Sequence, residues 1–387
     1  MTAAKINSFV STLSAPPIPS VIAWGREYNG AMGSLIDLSQ AVPGYPTHPD
    51  MLRLLGETAA QQALTGYGPI EGEPLLRQTY AAHVSEVYGA KIAASNIHIT
   101  AGCNQAFMCT AIALAGPGDT VALTNPFYFN HDTTLSMLGI GRRLVDCDPV
   151  GGFLPDLGSA EAALAAGAKM LAVVTPNNPT GAVYPPDLLH ALFTLCRKYG
   201  AWLVVDETYR DFLAEDHGRP HTLLSEQGWE ETLVLLYSFS KSFCIPGHRL
   251  GAITAGPQLI TEVAKVMDNM QICAPRSAQI AVASALPILS GWRAGNRLEI
   301  ARRAEALKQA VSELPGWEIA ALGAYFAFIR HPMANRSSSE VAEKLARERG
   351  VICIPGAYFG EGQEQYLRFA FANVDAASIG LLPDRLR

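Results

Sequence analysis

Four short polar runs contain the residue types that could do chemistry, and each follows or ends a run of apolar, strand-like residues. The runs are TAGCNQAF (100–107), TPNNPTG (175–181), VVDETYR (204–210) and SFSKSFCIPGHRLG (238–251). Ligands of open α/β sheets bind beyond the carboxyl ends of the strands, so the four runs are predicted to meet at one site.

The most reactive candidate in these runs is Lys241. It lies between Ser240 and Ser242 and is followed by FCIP, so we expect it to be buried, unlike most surface lysines. Burial lowers the pKa of a lysine amine and makes the amine a nucleophile toward carbonyl carbon atoms. Lys241 is therefore a candidate for covalent catalysis.

Three further features of the runs suit an anionic cofactor with a ring nitrogen. Asp206 ends an apolar strand, where it either caps a helix or needs a partner, because an unpaired buried carboxylate is costly. Arg249 can hold a phosphate through two parallel hydrogen bonds, and the helix start after Gly102 offers backbone N–H groups to the same anion. A lysine, a carboxylate, an arginine and a helix N-terminus together match the needs of pyridoxal 5′-phosphate.

The segments that must position these residues alternate between strand-like and helix-like from about residue 70 to residue 255. This pattern predicts a mostly parallel sheet covered by helices on both faces. The predicted strands are 96–100, 120–124, 142–146, 169–175, 201–206, 232–238 and 250–255, and the predicted helices include 74–88, 103–115 and 186–199.

The pattern changes after residue 255. A long helical region, broken near Pro275 and Pro287, precedes strand-like 324–330, helix-like 338–350, and strand-like 351–356 and 366–373. We therefore predict an α/β fold with two domains. The large domain spans 46–285, and the N-terminal segment (1–45) and the C-terminal third (286–387) form a smaller α+β domain.

Composition narrows the classes of protein that fit. The 387 residues are 17 % charged, carry a net charge of −6 and contain no basic run longer than two residues, which argues against nucleic acid as a partner. No apolar stretch approaches the roughly 20 residues of a membrane span, and the N-terminus lacks a secretory apolar core. Seven cysteines without a CxxC pair predict reduced thiols in a cytoplasmic protein and no metal site.

The sequence resembles the class I/II aminotransferase family, the aspartate-aminotransferase-like group of fold-type I pyridoxal-phosphate enzymes, over nearly its whole length. The resemblance rests on NPTG (178–181), DETY (206–209) and SxSKxFxxPGxRxG (238–251), which occur in the family's order. It implies that Lys241 is the Schiff-base lysine and acts in catalysis with Asp206 and Tyr209. The cofactor contacts that it implies are Asp206 at the ring nitrogen, Asn178 and Tyr209 at the phenolic oxygen, Tyr128 on the ring face, and Ser238, Arg249, Gly102, Cys103 and Asn104 at the phosphate.

The resemblance also implies a homodimer with a shared site. The segment YGPIEGEPLLR (67–77) is similar to the family segment whose tyrosine, here Tyr67, reaches the phosphate bound by the neighbouring subunit.

A substrate site follows from the same resemblance. Arg368 in YLRFAFAN matches the arginine that binds the substrate α-carboxylate, together with Asn178 and the backbone at Ala41 or, after a shift in register, Gly44. Arg276 lies near the region that would bind a side-chain carboxylate but does not clearly belong to it. The sequence therefore gives no support for specificity toward aspartate.

These residues imply a pyridoxal-phosphate-dependent aminotransferase that moves an amino group between an L-amino acid and a 2-oxo acid with ping-pong kinetics. Lys241 would move the α-proton while Arg368 orients the substrate. A C–S lyase, or another β-eliminating, cyclising or decarboxylating enzyme of the same fold, would need the same residues and stays open. A non-enzymatic regulator is a remote alternative, since the residues before Leu38 include only Lys5 and Arg26 as basic groups.

Overall fold

The computed structural model describes residues 4–387 and contains an eight-stranded sheet beside a four-stranded antiparallel sheet. The strands are β1 (Ile36–Asp37), β2 (Ile97–Thr100), β3 (Thr120–Asn125), β4 (Gly141–Asp148), β5 (Leu154–Pro155), β6 (Met170–Val174), β7 (Trp202–Asp206), β8 (Leu233–Ser238), β9 (Gly251–Thr254), β10 (Glu318–Gly323), β11 (Phe326–Arg330), β12 (Val351–Ile352), β13 (Ile354–Pro355) and β14 (Tyr366–Ala370). The predicted α/β fold class is confirmed.

Helices cover both sheets. The α-helices are α1 (Ser8–Ser11), α2 (Pro17–Arg26), α3 (Pro49–Ala59), α4 (Pro74–Tyr88), α5 (Cys103–Leu114), α6 (Phe129–Met137), α7 (Leu157–Ala165), α8 (Pro186–Tyr199), α9 (Phe239–Ser242), α10 (Pro257–Met270), α11 (Arg276–Ile288), α12 (Ser290–Ser312), α13 (Ser338–Lys344), α14 (Ala376–Ile379) and α15 (Leu382–Leu386). The predicted helices 74–88 and 186–199 end where glycine permits a left-handed cap, at Gly89 and Gly200.

The order of the large sheet explains why the polar runs converge. Its strands follow the order β2-β9-β8-β7-β6-β3-β4-β5, and the neighbours from β8 to β4 are parallel. Strand β9 is antiparallel to both β2 and β8, so β2 runs in the same direction as β8. The carboxyl ends of β2, β3, β6, β7 and β8 therefore lie at one edge, and Gly251 pairs there with both Thr100 and Ser238.

The central strands are held by burial on both faces. Every residue of β6 and β8 is buried, and β7 is buried from Leu203 to Asp206. Burying each Val or Leu side chain contributes about 1.5–3 kcal/mol, so the core favours polar groups only at the strand ends. The polar side chains that could take part in chemistry therefore lie at the carboxyl ends of these buried strands.

The small sheet has the order β10-β11-β14-β13. Two predicted strands differ from the structure here. The run 324–330 becomes a strand only at Phe326, because Ala324 adopts a positive φ of 45° in a turn. The run 351–356 splits, because β12 pairs with β1 whereas β13 joins the small sheet beside β14.

Buried apolar side chains form two clusters, one mainly around the large sheet and the other mainly around β11, β14 and helix α12. The clusters do not follow the predicted domain bounds, since Phe328 of β11 belongs to the first and Tyr209 to the second. The two-domain division stays a prediction. Val21 of helix α2 belongs to the first cluster, so the N-terminal segment contacts both cores.

Candidate active site

A cavity of about 250 Å³ opens at the edge where the parallel strands end. The sequence-predicted residues that line it are Ala41, Cys103, Asn104, Tyr128, Asn178, Asp206, Tyr209, Ser238, Lys241, Arg249 and Arg368. They come from both predicted domains, since Ala41 and Arg368 lie in the segments predicted to form the small domain. One cavity therefore contains nearly the whole predicted constellation.

Lys241 lies on the short helix α9, directly after strand β8. The side chain of Ser238 caps this helix by accepting a hydrogen bond from the N–H of Ser240 at 3.3 Å. Burial, reinforced by the positive charges of Arg249 and Arg368, lowers the pKa of Lys241 to about 8. A substantial fraction of this amine is therefore neutral, and nucleophilic, near physiological pH.

Behind Lys241, a buried network fixes the next residue of the helix. The Ser242 Oγ lies 2.8 Å from the hydroxyl of Tyr237, which donates to Asp211 at 2.6 Å. Arg293, at the start of helix α12, donates to the same carboxylate at 2.9 Å. These contacts tie the lysine helix α9 to helix α12.

Asp206 ends strand β7 and is buried. Its Oδ2 lies 3.4 Å from Nε2 of His131, and its Oδ1 accepts a hydrogen bond from the Thr208 N–H at 3.0 Å. Burial acts to raise the pKa of Asp206, but His131 and Thr208 outweigh it, so the pKa lies below its usual value. The carboxylate is therefore ionised at neutral pH.

The sequence reasoning missed His131. Its ring is held in place by a stacked contact with Phe107, with centroids 3.8 Å apart. The sequence feature that could have identified His131 is its position three residues after Tyr128. This spacing places both side chains on the same face of helix α6. Residues that line the cavity itself and were also missed include Ile18, Thr208 and Ser240.

The turn between β2 and helix α5 has the form of an anion cradle. Gly102 has a φ of 91°, and a side-chain carbon at this position would lie only 2.3 Å from Nη2 of Arg249. Among residues 4–387, the exposed Arg249 donates only to backbone carbonyls, those of Pro246 at 2.8 Å and Ala101 at 3.4 Å. Its guanidinium and the helix N-terminus are therefore both placed to receive an anion.

Cys103 begins helix α5 beside this turn. Burial and the nearby negative charge of Asp206 hold the pKa of its thiol well above the usual range. The thiol stays protonated, so Cys103 is a packed small side chain at this turn and not a reactive nucleophile.

Arg368 lies in the middle of strand β14 and is 1 % exposed. Its Nη1 donates to Asn178 Oδ1 at 3.1 Å and its Nη2 to the carbonyl of Ser39, so both partners are neutral. Its Nε is buried without a hydrogen-bond partner among residues 4–387. Burial lowers the pKa of this guanidinium to about 10, because it destabilises the charged form. An anionic ligand bound beside the guanidinium would stabilise that charged form again.

Asn178 also links the guanidinium to Tyr209. Its Nδ2 donates to the Tyr209 hydroxyl at 3.4 Å, while the ring of Tyr209 packs edge-on against Tyr325 and Phe326. Burial raises the pKa of Tyr209 well above the usual value, so this phenol remains a hydrogen-bond donor.

The structure distinguishes between Ala41 and Gly44. Ala41 lines the cavity, and its carbonyl accepts a hydrogen bond from Tyr325 at 3.2 Å. Gly44 instead donates to the Ala372 carbonyl at 2.9 Å, and an added side-chain carbon would lie 2.6 Å from Cα of Asn373. Gly44 is therefore required for close packing, and Ala41 faces the site.

Tyr67 does not line the cavity of its own subunit. It is 80 % exposed on the loop between helices α3 and α4. Arg276 lies at the base of the same loop, where it pairs with Glu73 at 2.5 Å and donates to the carbonyl of Ala63 at 2.9 Å. Arg276 thus supports the loop that carries Tyr67.

Comparison with known proteins assigns the family. The pattern of the family described as aminotransferase class I and II matches residues 34–386. The chain is 30 % identical over 374 residues to the aromatic aminotransferase ISS1 of Arabidopsis thaliana, covering 95 % of this chain and 92 % of that protein. It is 27 % identical to an aspartate aminotransferase of Pyrococcus horikoshii, covering 88 % and 87 %.

A solved structure agrees with these relatives. A double mutant of Thermus thermophilus aspartate aminotransferase superimposes with a TM-score of 0.90 at 26 % identity, over 99 % of both chains. The chain therefore belongs to the class I and II aminotransferase family. It is a transferase that moves amino groups.

Within residues 4–387, every helix is too short or too polar to cross a membrane.

Proposed function

We propose that this chain is a pyridoxal-5′-phosphate-dependent aminotransferase that transfers an amino group from an L-amino acid to a 2-oxo acid by a ping-pong mechanism. The observation that carries the proposal is the meeting of Lys241, Asp206 and Arg368 in one cavity. The cofactor and an amino-acid carboxylate require a nucleophilic amine, a fixed carboxylate and a buried cation, and the cation Arg368 has only neutral hydrogen-bond partners in the described part of the chain.

The residues present fit the cofactor. Ser240 Oγ is buried with no hydrogen-bond partner in the part of the chain that the structure describes, and it faces the same cavity as Ser238 and Arg249. With the N–H groups after Gly102, these side chains would hold the phosphate. Asp206 would hold the ring nitrogen in its protonated form, and Asn178 and Tyr209 would donate to the phenolic oxygen. Tyr128 would cover the ring.

When bound, the cofactor supplies an electron sink for the carbanion at the substrate's Cα. The other steps belong to side chains of this protein. Arg368 binds the substrate carboxylate and fixes the orientation of Cα, with Asn178 and the backbone at Ala41 beside it. The Lys241 Nζ accepts the α-proton as a base and later donates it as an acid. Its lowered pKa suits both roles.

The proposal includes a cytoplasmic homodimer in which Tyr67 reaches the phosphate in the partner's site. The exposure of Tyr67 supports this, because a large aromatic side chain at 80 % exposure is typical of a contact surface. Free thiols at all seven cysteines suit a reducing compartment.

The pH dependence of cofactor attachment gives a direct prediction. Attachment needs the neutral amine of Lys241, which predominates above a pKa of about 8. The rate constant for attachment to the cofactor-free protein should therefore rise about tenfold per pH unit below pH 8 and level off above it. Stopped-flow absorbance measures this rate, and a continued rise to about pH 10 would mean that Lys241 titrates like a surface lysine.

A donor and acceptor screen tests the proposed reaction. The enzyme with cofactor is incubated with single L-amino acids and either 2-oxoglutarate or pyruvate. Formation of glutamate or alanine, with ping-pong kinetics, is the expected result. Release of ammonia together with a 2-oxo acid, without a new amino acid, would favour the β-eliminating alternative.

A further inference from the structure

A second cavity, of about 680 Å³, adjoins the active site and is called the outer chamber here. Its walls are the segment 12–17 with Ser20, the segment 127–136, and the loop 357–361. The run Phe127–Phe129 forms the partition, because Tyr128 lines the active-site cavity, Phe127 lines the outer chamber and Phe129 lines both. The two spaces therefore meet at Phe129.

The volume of the active-site cavity limits how much of a substrate it can hold beside the cofactor. Small-molecule sites usually occupy about 300–1,000 Å³, and the active-site cavity has only about 250 Å³. A cofactor held by Lys241, Asp206 and Arg249 would fill most of that space. A substrate side chain longer than a methyl group therefore has to extend beyond this cavity, and the outer chamber borders the cavity at Phe129.

The lining of the outer chamber favours an apolar side chain. Leu13, Pro17, Phe127, Phe129 and Tyr358 are among the apolar and aromatic residues of its wall. The polar residues in the wall are mainly hydroxyl-bearing side chains without charge.

The charged side chains of the chamber are one arginine and two acidic residues, so they leave one negative charge in excess. Arg142 is its cation, and it already pairs with Asp132 at 2.5 Å and with Glu361 at 3.4 Å. A substrate carboxylate entering the chamber would meet two acidic side chains that share a single arginine. Both repulsion and desolvation would disfavour it.

We propose that the outer chamber is the subsite for the substrate side chain and that it selects large apolar or aromatic amino acids over acidic ones. This inference rests on the proposed function, because it takes Arg368 as the site of the α-carboxylate. From Arg368, the side chain extends across Phe129 into the chamber, where burial of its apolar surface adds affinity.

Binding of substrate analogues that lack the amino group tests the subsite without requiring turnover. Isothermal titration calorimetry on the cofactor-loaded enzyme would compare propionate, succinate and 3-phenylpropionate. We expect 3-phenylpropionate to bind at least about tenfold more tightly than propionate, because the ring is buried. Succinate should bind no more tightly than propionate. Preferred binding of succinate, or no advantage for the phenyl group, would overturn the proposal.

Two variants locate the effect in the chamber. Leu13→Glu adds a carboxylate to the apolar wall and Ala357→Trp fills the space, so each should reduce the advantage of 3-phenylpropionate over propionate about tenfold. Leu298→Glu, at an exposed site on helix α12, is the matched control and should keep the wild-type ratio. An unchanged ratio in both chamber variants would contradict the subsite. Selective binding by an enzyme that fails to transaminate would contradict the proposed function alone.

Discussion

Replacement of Lys241 by alanine is expected to lower the transamination rate by at least about 10⁴-fold, the upper end of what one acid–base group contributes. The variant loses both the amine that attaches the cofactor and the group that moves the α-proton. The half-reaction with the amino donor and the half-reaction with the 2-oxo acid acceptor need the same proton transfer. Both half-reactions should therefore slow together. Single-turnover absorbance measurements with a donor identified by the screen would measure the loss.

The fold should survive this change. The pKa of Lys241 is about 8 in the folded chain and 10.5 in its ordinary state, so the folded protein disfavours the charged amine. Below pH 8 the native ammonium is therefore destabilising, and its removal should not lower the thermal unfolding midpoint. Lys265→Ala, which removes an exposed lysine paired with Glu262, is the matched control and should keep full activity. Transamination by Lys241→Ala within tenfold of the wild-type rate would contradict the proposed role.

Replacement of Asp206 by asparagine is expected to reduce kcat by about 10²–10³-fold, as for the removal of one preorganised electrostatic group. The amide has nearly the same shape but carries no negative charge, so it cannot keep a proton on the ring nitrogen. The cofactor should still attach to Lys241, since that step does not require the carboxylate. The expected signature is therefore a protein that contains bound cofactor but reacts slowly.

His131 provides a second readout of the same interaction. Its Nε2 lies 3.4 Å from the Asp206 carboxylate and helps to keep the pKa of Asp206 below its usual value. His131→Phe should preserve the stack on Phe107 while the pKa of Asp206 rises, giving a smaller loss of kcat than Asp206→Asn. Asp119→Asn, at a half-buried carboxylate that does not line the cavity, controls for the loss of an acidic group. A kcat for Asp206→Asn within twofold of wild type would exclude the carboxylate from the reaction.

Much of the site could be predicted from sequence because its residues are attached to rigid, buried strands. Lys241 and Asp206 each follow or end an apolar run, and parallel strands bring such ends to one edge regardless of loop structure. The helix bounds 74–88 were likewise predictable, since a proline at the first position and a glycine after the last mark both ends.

The remaining features depend on contacts between segments far apart in the chain. The choice between Ala41 and Gly44 depends on packing against Asn373, which no local pattern encodes. His131 comes within 3.4 Å of Asp206 only in the folded chain, because the two residues lie on different elements, helix α6 and strand β7. The outer chamber is likewise a space between the segment 12–17 and the loop 357–361, so its existence depends on three-dimensional structure alone.

Borohydride reduction of the purified, cofactor-loaded enzyme, followed by peptide mass spectrometry, tests whether Lys241 carries the cofactor. Reduction would convert the bond between the Lys241 Nζ and the aldehyde carbon into a stable amine. We predict one labelled residue, Lys241, in the segment 238–251, and no label in Lys241→Ala. A label on another lysine, or no label on a protein saturated with cofactor, would contradict the proposed active site.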